Sequence, residues 1–73
     1  MNTEHLVIMA NNIGSFFVAY PDAEQARRDI AIHIKNFWNP VMRKAIVKHI
    51  ENGGEGLLPL VQTAIQQNQQ LLA

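Results

Sequence analysis

Cysteine is missing altogether from these 73 residues, which excludes a disulfide framework, thiolate zinc ligation and cysteine-held iron–sulfur clusters within the chain. Long apolar runs are missing too, and no segment approaches the ~20 residues of a membrane-spanning helix. Glu4 and His5 stand where a secretory signal would carry its basic start, so a soluble cytoplasmic protein is expected. Neither charge is in excess: six Lys and Arg face six Asp and Glu. Bulk electrostatics therefore favour neither nucleic acid nor an anionic membrane, and partner choice should rest on shape. A chain of this length is expected to form one domain, residues 1–73, and to bury only about 60% of the surface its unfolded form exposes.

What is present is helical periodicity. From His5 to Tyr20, Leu6, Met9, Ile13, Phe16, Phe17 and Tyr20 recur at three-and-four spacing along one stripe, with Asn2 or Thr3 as cap. Gly14 interrupts that helix at a cost of about 1 kcal/mol, which points either to close approach of a neighbouring backbone or to a tolerated defect. Pro21 stops the helix, and Asp22 with Gln25 forms a capping-box pattern for a second one. Ala23, Ala26, Ile30, Ile34 and Phe37 make its inner face, while Glu24, Arg27, Arg28 and Lys35 lie on the wet side.

Between Phe37 and Arg43 the chain turns a corner. Asn39 can cap a third helix, and Pro40 suits the first turn because its missing N–H has no partner to lose there. Val41, Met42, Ala45, Ile46 and Ile50 define that helix, which Gly53-Gly54 terminates. The last helix should start near Leu58, with Pro59 in its first turn, and run on through Leu71 and Leu72, which either dock on the bundle or meet another chain. Four helices on short turns predict an all-α fold, a small four-helix up-and-down bundle or a less regular four-helix fold.

Chemistry-bearing constellations are sparse. His5, His33 and His49 have no His, Asp or Glu partner one helical turn on, so no metal site is expected. Ser15, Thr3 and Thr63 sit at helix starts or interiors rather than beside a base. Gly53-Gly54-Glu55-Gly56 precedes a helix but lacks the Lys-Ser/Thr ending of a phosphate-binding loop. Arg43, Lys44 and Lys48 are the nearest approach to a nucleic-acid patch. No enzyme is read from these residues. With 48% hydrophobic residues, contact through apolar surface is the remaining class of role. Trp38 at the corner can fill the end of the core or present an anchor to a partner.

The opening His5-Leu6-Val7 through Met9-Ala10-Asn11, then Ile13-Gly14 with Phe16-Phe17, carries a weak signature. Phe37-Trp38-x-Pro40-x-Met42-Arg43 followed by Gly53-Gly54-x-Gly56-Leu57-x-Pro59 is more specific. On these strings, spanning nearly its whole length, the chain resembles the small delta subunit of cytoplasmic NAD-dependent, molybdenum-containing formate dehydrogenases. Leu58 departs from the polar residue that such subunits often carry before Pro59, which removes a convenient N-cap.

The resemblance implies a noncatalytic accessory subunit that binds no cofactor itself. It would contact the large molybdenum subunit, or its maturation factors, in assembly, stability or cofactor insertion. Pterin, clusters, flavin and NAD would belong to larger subunits, in keeping with the absence of cysteine and of a dinucleotide fingerprint here. The expected recognition surface is the corner, Phe37, Trp38, Pro40, Met42 and Arg43, joined by the loop residues Gly54, Gly56 and Leu57, with Trp38 as anchor and Arg43 as orienting charge. The competing class is a stand-alone homo-oligomeric helical regulator or adaptor, with nucleic acid as a less favoured ligand.

Overall fold

The computed structural model describes residues 2–73, which form five helices and, among the described residues, no strand: α1 (Thr3–Phe17), α2 (Ala23–Phe37), α3 (Pro40–Glu51), α4 (Pro59–Gln67) and α5 (Gln69–Leu72). The first three helices start where their caps place them. Asn2 Oδ1 accepts from the Glu4 N–H, Asp22 Oδ1 from the N–H groups of Glu24 and Gln25, and Asn39 Oδ1 from the Met42 N–H at 2.9 Å. Each carboxylate or amide oxygen satisfies donors that the first helical turn leaves without a partner. The Gln25 amide donates onward to Asp29 Oδ1 at 2.8 Å instead of reaching back to its cap, so only half of the capping box forms.

α3 ends through its glycines. Gly53 N–H donates to the Ile50 carbonyl and Gly54 N–H to the His49 carbonyl, the paired bonds of a Schellman terminus. Both glycines have positive φ, 115° and 66°, a conformation that costs an L side chain about 1 kcal/mol or more.

One apolar core draws on all five helices: Leu6 and Ala10 from α1, Ile30 and Ile34 from α2, Ile46 and Ile50 from α3, Val61, Ala64 and Ile65 from α4, and Leu72 from α5. α1 and α4 each pack against both α2 and α3, whereas the consecutive pair α2 and α3 scarcely meet away from their corner. The arrangement is thus the less regular four-helix fold, not an up-and-down bundle in which every sequence neighbour is a packing neighbour.

Two expectations about helix faces are corrected. In α1 the residues turned fully inward are Leu6, Ala10 and Gly14, with Met9, Ile13 and Phe17 half-buried beside them, while Phe16 is 81% exposed. The inward stripe passes through small residues, because a Cβ at Gly14 would lie 2.3 Å from Val61 Cγ2 of α4. Gly14 is there for close approach, to a side chain and not to a backbone. The last helix is not continuous either: Asn68 breaks it with φ −124°, and its Nδ2 donates to the Ala64 carbonyl at 2.8 Å. A side chain that bonds its own backbone in this way competes with the helical ladder. The break redirects α5 so that Leu72 is fully buried, while Leu71 stays at the surface.

Candidate functional site

At the α2–α3 corner two adjacent aromatic residues go opposite ways. Phe37 is the last residue of α2 and is 73% exposed, its ring stacked on His33 with centroids 4.6 Å apart. Trp38 leaves the helix with extended backbone, φ −99° and ψ 140°, and its ring turns into the core at 5% exposure. The expectation of Trp38 as an exposed anchor is therefore corrected: in this fold it is a core residue, and the exposed aromatic of the corner is Phe37.

Arg43 is likewise committed inside the chain. Its Nη1 donates to the Trp38 carbonyl at 2.8 Å and, more weakly, to the Lys35 carbonyl at 3.4 Å, while Nε donates to the Leu72 carbonyl at 3.3 Å. Those acceptors are end carbonyls of α2 and α5, where unsatisfied C=O groups carry partial negative charge. Arg43 thus ties three helices together instead of standing free as an orienting charge. Met42 is half-buried against the core, and Pro40 is exposed at the first helical position.

The loop residues do not join this corner. α3 separates them with its 12 residues, about 18 Å of helix at ~1.5 Å per residue. Gly54 is buried against the Gln62 side chain, Leu57 is core, and Gly56 is exposed. The loop instead docks on α1 through Asn11, which in the sequence stood within the opening family string. Asn11 Nδ2 donates to the Gly56 carbonyl at 3.0 Å, and Asn11 Oδ1 accepts the Leu58 N–H at 2.9 Å. A side-chain amide from 47 positions away therefore anchors the residue that precedes the fourth helix, whose first turn has no side-chain cap. Asn11→Ala is expected to lose about 1 kcal/mol of stability by removing both bonds and to raise hydrogen exchange first at Leu58. Exchange there no faster than in the parent would contradict this role.

Val41, grouped in the sequence with the apolar positions of the third helix, is turned outward instead. At 3.6 residues per turn it lies roughly opposite the buried Ile46 and Ile50, and it is 63% exposed. The phase was available in the sequence, but proximity to Met42 and Ala45 obscured it. On the same outer side follow Lys44 and Lys48. Neither has a carboxylate partner, since the ion pair found among the described residues joins Arg28 to Glu24 at 3.8 Å.

Charge is segregated although it sums to zero. Lys35, Arg43, Lys44 and Lys48 lie between Ile30 and Ile50 with no acid among them, giving +4; the rest of the chain sets six acids against Arg27 and Arg28, giving −4. The three histidines remain apart in function: His33 stacks on Phe37, and His49 Nε2 bonds the Glu55 carbonyl at 2.7 Å. Among the described residues no group of three or more His, Asp or Glu gathers in metal-binding range. No helix of the described residues is long and apolar enough to cross a membrane.

Fold and surface together define a class, a small all-helical domain that presents an apolar corner beside unpaired lysines. The family model for the NADH-dependant formate dehydrogenase delta subunit FdsD matches residues 5–65, and the chain belongs to that family. Membership implies partnership with the rest of a formate dehydrogenase complex. No curated protein and no solved structure matches the chain.

Proposed function

We propose that the chain is a noncatalytic accessory subunit of a cytoplasmic NAD-dependent formate dehydrogenase, acting by protein contact in assembly, stability or cofactor maturation of the large molybdenum subunit. The family match over residues 5–65 carries this reading. The surface chemistry supports it: Phe37 and Val41 stand exposed on either side of a corner held by the Asn39 cap and by Arg43. Exposed apolar side chains on rigid backbone lose little entropy on docking, which favours contact over chemistry as the mode of action.

Recovery of the tagged chain from native extract, with mass spectrometry of its partners and an assay of formate-dependent NAD reduction, tests the proposal. Co-purification of the large subunit with activity would establish a resident subunit. Co-purification of that subunit in an inactive, cofactor-poor form would assign a maturation role. Return of the bait alone, as a defined oligomer, would overturn the reading.

A further inference from the structure

α3 and α5 flank a shallow groove of about 450 Å³, lined by Lys44, Val47, Lys48 and Glu51 on the α3 side and by Gln69, Gln70 and Ala73 on the other, with Val47 half-buried at its base and Leu72 fully buried beneath. Lys44 and Lys48 are one helical turn apart and therefore share a face, and Val41 continues that face toward the Phe37 corner. Apolar floor, paired cations and exposed apolar corner thus form one continuous strip. Val41, Lys44, Val47 and Lys48 fall in the Ile30–Ile50 stretch that carries +4, and Glu51 is the one acidic side chain among the residues that line the groove.

We propose that this strip docks an acidic, partly apolar segment of a partner polypeptide, which, resting on the accessory-subunit reading, belongs to another subunit of the formate dehydrogenase complex. Carboxylates spaced one turn or two strand residues apart would pair with Lys44 and Lys48, and an apolar side chain between them would cover Val47. The complementarity is one-sided, since a basic segment would meet two ammonium groups with only Glu51 to offset them. An apolar floor also suits a side chain better than a phosphodiester, which has only charge and sugar to offer there. Lysines at the rim of such an interface act mainly by steering encounter and fixing register, so their effect is salt-dependent.

The test uses the purified chain and an immobilised preparation of the remaining formate dehydrogenase subunits. Binding is measured for the parent, for Lys44→Glu/Lys48→Glu, for the milder Lys44→Gln/Lys48→Gln, and for Arg28→Glu on a different helix, each at low and moderate salt. All three variants should keep the parent's helical circular dichroism, because the replaced side chains are exposed. The expected result is about tenfold or greater weakening for the double glutamate variant, a smaller loss for the glutamine pair, less than twofold change for Arg28→Glu, and parent affinity that falls with salt. Parent binding that the double glutamate variant retains in full would overturn the strip while leaving the accessory reading in place. Loss confined to self-association in sedimentation, or to binding of duplex DNA, would overturn it in favour of a second copy or of nucleic acid. Failure of the parent itself to bind the subunits at either salt would sink the accessory reading, and the strip with it.

Discussion

Trp38→Ala should destabilise the domain by about 3–5 kcal/mol, the range for deleting a large buried aromatic side chain, whereas Phe37→Ala, one residue earlier, should change stability by no more than about 0.5 kcal/mol. The contrast follows from burial alone, since Trp38 is 5% exposed and Phe37 73%. A chain of 73 residues has a total stability of roughly 4–11 kcal/mol, so the Trp38 variant loses a large part of it and melts at a markedly lower temperature than the parent. The hydrogen bonds of the corner survive in both variants, because Arg43 binds the Trp38 carbonyl and not its ring. Urea denaturation followed by circular dichroism separates the two cases. A Trp38→Ala protein within about 1 kcal/mol of the parent would mean that the ring does not fill the core. In binding, the order reverses: Phe37→Ala should weaken capture of the partner while leaving the fold intact.

The second large effect concerns Gly14→Ala. At an ordinary helix position this change stabilises by about 1 kcal/mol. Here the new Cβ would lie 2.3 Å from Val61 Cγ2. Val61 is fully buried, and its branched side chain has one strongly preferred rotamer in a helix. The methyl group cannot swing aside into solvent, so α1 and α4 must separate, and overpacking of this kind costs about 1–3 kcal/mol. The expected net result, after the propensity gain is subtracted, is a loss of about 1 kcal/mol, opposite in sign to the propensity effect alone. Val61→Ala in the same background should restore part of it, and a double-mutant cycle would register the coupling. A more stable Gly14→Ala protein would show that the helix pair relaxes without cost. In that case Gly14 would be the tolerated defect that periodicity left open.

Helix starts and stops were legible in the residues because they are local. Asp22, Asn39-Pro40 and Gly53-Gly54 each act on backbone within one turn, and each does in the structure what its type and position dictate. The family strings were legible for a similar reason, as runs of residue identity that need no geometry. Which helix face turns inward was harder to read. In α1 the inner stripe runs through Ala10 and Gly14, and small residues add almost nothing to a hydrophobic pattern even where close packing depends on them. The exposed Phe16 carries a strong apolar signal in the wrong direction.

The recognition surface shows the same division. Aromatic bulk at Phe37-Trp38 marks a corner in the sequence, but the extended backbone at Trp38 sends one ring inward and leaves the other outside. The Gly54-to-Leu57 loop follows the corner string in the resemblance, yet a full helix stands between the two. By itself the sequence determined an all-helical chain, its caps and its family, since these rest on residue type and short-range hydrogen bonding. Only the tertiary structure decided that Trp38 is core, that Arg43 serves three backbone carbonyls, that Asn11 holds the loop before the fourth helix from across the fold, and that Lys44 and Lys48 edge a groove. Each of these depends on which distant segments pack together, and that is set by the summed burial of the whole core rather than by any single stretch of it.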